Sequence, residues 1–297
     1  MIIVDFSQCM FSNLMANIRP NEIFDEGMLR HMVLNSLRSY RQKFCYEYGE
    51  LVIACDSHNY WRKNLFPFYK ANRKKLLDNF NLDWDIIFAS FNKIKSELKE
   101  FFPYRVLEID TAEADDIIGT LANHFGWNSF DDNSYRTNEF IKKEKILIIS
   151  GDKDYIQLQI YNNVKQYDPI RKKWIEHDNP SKYLLEHIMK GDAIDNIPTI
   201  LCEDDYYVNK NHKIKRLTQK KIDDLISKNK KEWPTEIQRN FDRNASIISL
   251  VDDNIPQEIK NNILLQYNNY EENDRSNLMT YFMKYRLKNL FESINDF

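Results

Sequence analysis

Three acidic side chains stand within four positions of this sequence, at Glu113, Asp115 and Asp116. Like charges this close repel one another, and each has its pKa raised unless a cation or solvent relieves the repulsion. A divalent metal ion bound by these carboxylates would provide that relief. A structural interpretation is open as well. Asp110 is placed to cap the start of a helix with Glu113 as its capping-box partner, and the two aspartates favour the positive end of the helix dipole.

A strand-like run precedes this acidic group, and the same arrangement recurs three times in the chain. Residues 1–6 (M-I-I-V-D-F), 50–56 (E-L-V-I-A-C-D) and 145–154 (K-I-L-I-I-S-G-D-K-D) are short apolar runs that end in aspartate. Near-continuous apolar strands are typical of a parallel sheet buried on both faces, and such sheets bind ligands beyond the carboxyl ends of their strands. We therefore expect one sheet edge to gather the following carboxylates: Asp5, Asp56, Glu113, Asp115, Asp116, Asp152 and Asp154.

Oxygen ligands without supporting cysteine or histidine suit hard cations, so the hypothesis is a cluster that binds Mg2+ or Mn2+. Asp152 and Asp154 point to one side if the backbone is extended, although an Asx-type turn would also explain the pair. Farther along, the segment K-G-D-A-I-D-N-I-P places Asp192 and Asp195 three residues apart, as neighbours on a helical turn. They can complete the cluster from a second part of the chain, or they can be a helix cap and a turn residue.

The elements that position these residues predict an α/β fold, with a central, mostly parallel sheet flanked by helices and a C-terminal helical region. Residues 1–190 are expected to form the α/β domain and residues 191–297 the helical region. Residues 164–168 and 173–176 are predicted to form a terminal hairpin, and residues 127–143 a surface insertion. Apolar periodicity predicts helices over residues 21–48, 82–102, 181–190, 218–228, 235–250, 256–270 and 278–293.

Composition excludes several classes of protein. With 42% hydrophobic and 13% aromatic residues, the 297-residue chain is not globally disordered and can form one large domain or a domain with an appendage. No apolar run approaches the roughly 20 residues that span a bilayer, and Asp5 interrupts the start too early for a signal peptide. Four cysteines without C-x-x-C spacing predict neither a zinc site nor a disulfide framework. An intracellular, reducing location is therefore expected.

Two basic blocks flank the acidic positions and suggest contact with phosphates. Residues 62–75 hold six basic residues and no acid, and residues 206–231 hold nine basic residues and two acids, although the net charge of the chain is −3. In the first block aromatic residues alternate with cations, as in channels that stack exposed bases of single strands. The alternatives are a solvated face or a loop that packs on the body. Because the first block lacks an evident apolar stripe, we expect it to be mobile without DNA. His58 beside it is expected to be a polar loop residue.

The motifs I-V-D-F-S, A-C-D, Y-K-A-N-R, E-A-D-D, S-G-D-K-D and K-G-D-x-x-D-N-I-P occur here in the order found in 5' nucleases. Over nearly its whole length the chain resembles the flap endonuclease or 5' nuclease family, and in particular the branch of ribonucleases H found in T-even bacteriophages. The resemblance implies a PIN-like 5' nuclease fold with a basic arch at about residues 57–80. It also implies 5'-to-3' exonuclease and flap endonuclease activity on RNA-DNA and DNA-DNA duplexes, including removal of RNA primers from lagging-strand fragments.

The same resemblance implies roles for particular residues. Nine carboxylates would bind two Mg2+ ions, with Mn2+ as a substitute: Asp5, Asp56, Glu113, Asp115, Asp116, Asp152, Asp154, Asp192 and Asp195. Asp115 and Asp154 would be catalytic, and Lys70 and Arg73 of the arch would contact the scissile phosphate. Nucleic-acid contacts in the arch would come from Arg62, Lys63, Tyr69, Lys70, Arg73 and Lys74. The partners implied are DNA or an RNA-DNA hybrid with a 5' end or flap, with a sliding clamp and a single-stranded DNA-binding protein as candidates, for a monomer in the host cytoplasm.

The chain departs from the family after K-G-D-x-x-D-N-I-P, where most relatives have a glycine-rich hairpin that approaches a duplex phosphate. This stretch has no glycine here, so side chains should hold the duplex in a helix-turn-helix-like region. The candidates are Lys213, Lys215, Arg216, Lys220 and Lys221. Two other functions remain open. A PIN-type endoribonuclease that cleaves single strands would share the acidic sheet edge, and a non-catalytic nucleic-acid-binding module should lack an intact acidic set.

Overall fold

One six-stranded sheet organises the molecule, in a computed structural model that describes residues 1–18, 24–80, 82–127, 144–209, 215–251 and 254–297. The strands lie in the order β3-β2-β1-β4-β5-β6, with the first five parallel and β6 antiparallel to β5. Their bounds are β1 Ile2–Asp5, β2 Leu51–Cys55, β3 Arg105–Glu108, β4 Ile146–Ile149, β5 Val164–Asp168 and β6 Lys173–Ile175. The mostly parallel sheet and the terminal hairpin predicted from the sequence are therefore confirmed.

The strand order reverses direction between β1 and β4, which are adjacent at the centre of the sheet. After β1 the chain proceeds outward to β2 and β3 on one side, and it returns to start β4 on the other side. Loops that leave the carboxyl ends of two such strands diverge and open a crevice, which is where open α/β sheets bind ligands. Asp5 ends β1, and the S-G-D-K-D segment follows β4 directly. The topology thus places two of the predicted acidic segments at the same crevice.

Helices cover both faces of the sheet and complete two apolar cores. Alternate side chains of each strand point to opposite faces, so Ile2 and Val4 pack with one core while Ile3 packs with the other. The helices are α1 Phe6–Asn17, α2 Glu26–Tyr48, α3 Arg62–Leu65, α4 Arg73–Leu77, α5 Trp84–Phe101, α6 Ala114–Phe125, α7 Pro180–Lys190, α8 Gln219–Ile226, α9 Thr235–Ile248, α10 Gln257–Asn268, α11 Ser276–Lys284 and α12 Lys288–Phe291. Among the described residues, none of these helices is long and apolar enough to cross a membrane.

The C-terminal helices return to the sheet after α7, α8 and α9 have formed two smaller apolar clusters. Leu278, Tyr281 and Phe282 of α11 are buried in the core that contains α2 and α5, together with Phe297. A buried ion pair fixes this packing, since Arg30 Nε lies 2.7 Å from Glu97 Oε2 and the Tyr281 hydroxyl donates to the same oxygen at 2.8 Å. Residues 278–297, the last part of the predicted helical region at 191–297, thus pack on one core of the sheet.

The predicted helix over residues 278–293 is wrong in one respect, because the chain forms two helices there. α11 ends at Lys284, and Arg286 adopts a φ of 55° before α12 begins at Lys288. A left-handed residue breaks the helical hydrogen-bond ladder, and the turn lets Leu287 and Leu290 reach the core. Neither glycine nor proline marks this break in the sequence.

The basic block over residues 62–75 packs on the body, contrary to the expectation that it has no apolar stripe to bury. α3 and α4 lie within or overlap it, and Phe66 and Tyr69 are buried in a cluster that also contains Ile188 and Ile247. These two aromatic residues are three positions apart, which brings both to the same side of the turn between the helices. Most of the predicted insertion at 127–143 lies outside the described residues.

Candidate active site

Asp5 ends β1, and Asp56 directly follows the neighbouring strand β2. Asp5 caps α1 by accepting a hydrogen bond from the Gln8 N–H at 3.0 Å, and the Ser150 hydroxyl donates to its other oxygen at 3.2 Å. Asp56 accepts a hydrogen bond from the Ala114 N–H at 2.8 Å, which fastens the first turn of α6 to the end of β2. Burial and the nearby Asp56 charge raise the pKa of Asp5 to about 6.

Asp115 and Asp152 extend this group, and Tyr155 links Asp115 to Asp5 at the end of β1. The buried Tyr155 hydroxyl donates to Asp115 Oδ1 at 2.5 Å and lies 3.3 Å from Asp5 Oδ2. Burial, and then repulsion from Asp152, raise the pKa of Asp115 well above its usual value. Burial and the Asp154 charge raise the pKa of Asp152 to about 7. Burial is the largest cause of each shift and repulsion between the carboxylates adds to it, and a bound cation would relieve that repulsion.

Asp154, His187 and Asp192 form a second group beside the first. Each offers one ligand atom, and the three atoms all lie within 4.8 Å of one another. His187 Nε2 is 3.0 Å from Asp154 Oδ1. Burial raises the pKa of Asp192, and Asp154 adds to that rise. Sequence reasoning considered Asp154 and Asp192 but missed His187, because no second histidine stands at ligand spacing beside it.

Gly191 makes the position of Asp192 possible. This glycine ends α7 with a φ of 65°, and a Cβ atom there would lie 2.3 Å from the Ile197 carbonyl oxygen. Asp192 and Ile197 exchange two backbone hydrogen bonds of 2.8 and 2.7 Å across the resulting turn. The turn directs Asp192 back toward Asp154. Asp192 Oδ1 also accepts a hydrogen bond from the Ile194 N–H at 2.7 Å. Only glycine tolerates such a close backbone approach in a left-handed conformation.

Glu113 and Asp116 are bound by protein cations, which argues against their predicted role as metal ligands. Both are almost fully buried, and Arg62 pairs with Glu113 Oε2 at 2.9 Å and with Asp116 Oδ1 at 2.8 Å. Burial raises the pKa of Glu113, but Lys70 and Arg62 outweigh it and leave that pKa below its usual value. Trp61 Nε1 also donates to Asp116 at 3.0 Å. These two carboxylates therefore stabilise the start of α6.

The sequence correctly predicted a capping box before α6, but the box lies one helical turn later than predicted. The N-cap of α6 is Glu113, and the Asp116 carboxylate accepts the Glu113 N–H at 2.8 Å. Asp110 instead accepts a hydrogen bond from the neighbouring Thr111 N–H. Because adjacent helix positions diverge by roughly 100°, Asp115 faces the carboxylate cluster while Asp116 faces Arg62. The two aspartates thus have different surroundings, although they are adjacent in the sequence.

Lys70 and Arg73 bring positive charge to the rim of the cluster through Asp195. Lys70 has a φ of 56°, and its N–H donates to the Asp195 carbonyl at 2.9 Å. Its buried ammonium contacts Glu113 and lies 3.6 Å from Asp195 Oδ2. Arg73 Nη2 lies 2.9 Å from Asp195 Oδ1, yet the Arg73 side chain is 47% exposed. Asp195 is therefore neutralised by these two cations, and Arg73 can still reach solvent.

Some of the other residues predicted to contact nucleic acid are buried, and the rest are exposed. Arg62 and Tyr69 are buried and occupied by Glu113, Asp116 and a backbone carbonyl, which argues against direct contact with a phosphate or a base. Lys213 lies outside the described residues. The remaining candidates have exposed side chains: Lys63, Lys74, Lys215, Arg216, Lys220 and Lys221.

The residues fit divalent metal ions. Across the described ranges, Asp5, Asp115, Asp152 and Asp192 form no ion pair with a lysine or arginine. Burial and mutual repulsion raise the pKa values of these four carboxyl groups. Oxygen donors of this kind suit hard cations such as Mg2+ and Mn2+. A site with two such groups side by side, and with Lys70 and Arg73 at its rim, can bind a phosphate ester and promote its hydrolysis.

Comparison with known families gives two adjoining matches. Residues 1–187 match the model of the 5'-3' exonuclease N-terminal, resolvase-like domain. Residues 179–297 match the model of the C-terminal region of T4 RNase H.

Individual relatives agree with these matches. The chain is 32% identical over 303 aligned positions to the ribonuclease H of Enterobacteria phage T4, covering 99% of this chain and 95% of that protein. It is 28% identical to a 5'-3' exonuclease of Buchnera aphidicola subsp. Acyrthosiphon pisum, over 65% of this chain and 64% of the relative. Among solved structures, the T5 D15 protein crystallised with metal ions superposes with a TM-score of 0.58 at 14% identity, covering 91% of this chain and 99% of that one. This similarity confirms the expected fold.

Proposed function

This chain belongs to the family of 5'-3' exonucleases that includes the ribonuclease H of phage T4, and from that membership we propose its substrates and its mechanism. The proposed activity is metal-dependent hydrolysis of phosphodiesters at the 5' ends and flaps of RNA-DNA and DNA-DNA duplexes. Its proposed task is removal of RNA primers from lagging-strand fragments. The observation that carries the proposal is the group of crowded carboxylates at the β1/β4 crevice, with Asp5, Asp115 and Asp152 at its centre.

The similarity to a DNA-bound relative supports a nucleic-acid substrate. A variant of the T5 D15 flap endonuclease has been crystallised as a pseudo-enzyme-product complex with DNA and metal ions, and it superposes on this chain with a TM-score of 0.55. For the present chain we propose single-strand contacts at Lys63 and Lys74. Duplex contacts are proposed for residues 191–297 at Lys215, Arg216, Lys220 and Lys221, which are exposed.

Two groups of side chains would hold the proposed pair of Mg2+ ions. Asp5, Asp56, Asp115 and Asp152 would hold the first ion, and Asp154 and Asp192 would hold the second. Two ions bound there would supply an activated water, stabilise charge on the phosphate and assist the leaving oxygen. Asp195 borders both groups and holds Lys70 and Arg73 in place.

Lys70 and Arg73 would act on the phosphate through charge. The Lys70 ammonium is held rigidly by its partners Glu113 and Asp195, so it contributes a fixed positive field. The half-exposed Arg73 guanidinium can exchange Asp195 for a phosphate oxygen, to which it can donate two hydrogen bonds. Tyr155 would keep Asp115 and Asp5 oriented by its hydroxyl contacts.

Cleavage assays on labelled substrates test the proposal. A 5' flap, a nicked duplex, an RNA-DNA hybrid and a single-stranded RNA should be compared with and without Mg2+. We expect Mg2+-dependent cleavage of the first three. Asp115→Asn should lose at least 100-fold in single-turnover rate while DNA affinity is retained, because the lost stabilisation arises mainly in the transition state. Asp178→Asn, a change at an exposed carboxylate outside the cluster, is the matched control.

The same assays distinguish the other candidate functions. Cleavage restricted to single-stranded RNA would identify a PIN-type endoribonuclease. Binding without cleavage of any substrate in Mg2+ or Mn2+ would indicate a nucleic-acid-binding module. An Asp115→Asn variant with full activity would show that the metal ions are held elsewhere.

A further inference from the structure

His187 lies on the last turn of α7 and faces the second acidic group. It is one helical turn before Gly191, so its imidazole projects toward the same space as Asp192. Tyr183 precedes it by four residues on the same helix face, and the two rings stack with centroids 5.9 Å apart and planes inclined by 21°. This stacking restricts rotation of the imidazole and keeps Nε2 directed at Asp154.

The Nε2 atom has the spacing of a metal ligand. It is buried and forms an ion pair with Asp154 Oδ1 at 3.0 Å. Two ligands about 2.1 Å from one ion and at right angles to each other are separated by about 3 Å. The two atoms can therefore bind one cation together, and Asp192 offers a third ligand atom within 4.8 Å of both.

We propose that the Asp154–His187–Asp192 group is a mixed nitrogen and oxygen site that takes Mn2+, which accepts an imidazole ligand more readily than Mg2+ does, in preference to Mg2+. The proposal rests on the proposed metal centre and specifies one of its two positions. Imidazole is a softer ligand than carboxylate and suits first-row transition ions, whereas Mg2+ favours oxygen donors. The first group, around Asp5 and Asp115, contains only oxygen ligands and would keep the ordinary preference for Mg2+. The two positions would thus differ in metal selectivity.

Pulsed electron paramagnetic resonance of Mn2+ bound to the whole protein tests this directly. A nitrogen nucleus in the first coordination sphere gives a hyperfine signal that oxygen ligands cannot produce. We expect that signal in the wild-type protein and in His124→Gln, which changes an exposed histidine on α6. We expect its loss in His187→Gln. Calorimetric titration of the same proteins should show at least tenfold weaker Mn2+ binding at one site in His187→Gln, with Mg2+ affinity changed less than threefold.

The outcomes separate this proposal from the proposed function. Saturable Mn2+ binding and Mg2+-dependent cleavage without a nitrogen signal in the wild-type protein would overturn the His187 assignment alone. A nitrogen signal that persists in His187→Gln would overturn it as well. Failure of the wild-type protein to bind any divalent ion would remove the metal centre itself. The wild-type spectrum decides the matter even if the His187→Gln variant folds poorly.

Discussion

Replacing Arg62 by methionine should destabilise the protein without removing a DNA contact. The guanidinium is fully enclosed, and it binds Glu113 and Asp116 at 2.9 and 2.8 Å and the Ile247 carbonyl at 2.8 Å. Methionine preserves much of the side-chain volume but leaves two carboxylates buried with less compensation. Removal of one partner from a buried ion pair costs about 3–5 kcal/mol.

The lower end of that range applies here, because other donors remain. Glu113 keeps the Lys70 ammonium and the Tyr69 hydroxyl, and Asp116 keeps the Trp61 indole and a backbone N–H. We therefore expect a loss of about 3 kcal/mol in the free energy of unfolding. The entropy of unfolding is roughly 2.1 cal/mol/K for each residue, or about 0.6 kcal/mol/K for 297 residues, so Tm should fall by about 5 °C.

Urea unfolding followed by tryptophan fluorescence, together with thermal melts, would measure these changes. Lys288→Met is the matched control, because Lys288 is exposed on α12 and lies outside the proposed nucleic-acid contacts, and its loss should cost no more than about 0.5 kcal/mol. Asp116→Asn in the Arg62→Met background should recover about 1 kcal/mol, since it removes one uncompensated charge. Equal stability of the two methionine variants, with DNA affinity reduced only in Arg62→Met, would show that Arg62 contacts phosphate after all.

Asp152→Asn should raise the metal-free free energy of unfolding by roughly 1–2 kcal/mol at pH 8, a figure reduced for solvent screening because Asp152 is exposed. The Asp152 side chain also caps a turn by accepting the Asp154 N–H at 3.0 Å, and a drop measured by chemical unfolding would show that this cap outweighs the charge repulsion. The pKa of Asp152 is raised to about 7 by burial and by Asp154, so ionisation opposes folding. The metal-free wild type should accordingly gain stability as pH falls from about 8 toward 5, and the variant should lack that part of the gain. Lys220→Ala with Lys221→Ala should weaken duplex binding and flatten its salt dependence by roughly 0.9 per lost phosphate contact. Its cleavage rate for bound substrate should stay unchanged, and an unchanged salt slope would show that the duplex is held elsewhere. Arg73→Met should lower the single-turnover rate at least tenfold with little change in Tm. An unchanged rate with a clearly lower Tm would show that this half-exposed residue stabilises the fold and does not act on the substrate.

Local patterns predicted the sheet and the placement of its acidic residues well. Strands that are buried on both faces must be apolar throughout, and parallel strands end at a common edge, so the positions of Asp5 and Asp152 followed from the sequence alone. The terminal hairpin was equally evident from its composition. These features depend on neighbouring residues, which is why a single sequence contains the information.

Features that depend on distant partners could not be predicted in the same way. Arg62 and Glu113 are 51 residues apart, and nothing in either segment indicates that one neutralises the other. The contribution of His187 required knowing that α7 packs beside the segment containing Asp154. A local signal did exist for the packing of the basic block, because Phe66 and Tyr69 stand three positions apart, but the alternation of aromatic and basic residues obscured it.

The burial of α11 against α2 and α5 has a consequence for synthesis on the ribosome. α2 is complete once Tyr48 has been added, whereas Tyr281 and Phe282 are added more than 200 residues later. At roughly 5–20 residues per second, the apolar face of α2 waits on the order of 10 to 50 s for its last covering residues. Collapse of a chain takes microseconds, so the nascent protein must pass this interval with part of its core open. During this interval unfinished chains expose an apolar surface through which they can associate, and a chaperone that covers it would prevent that association.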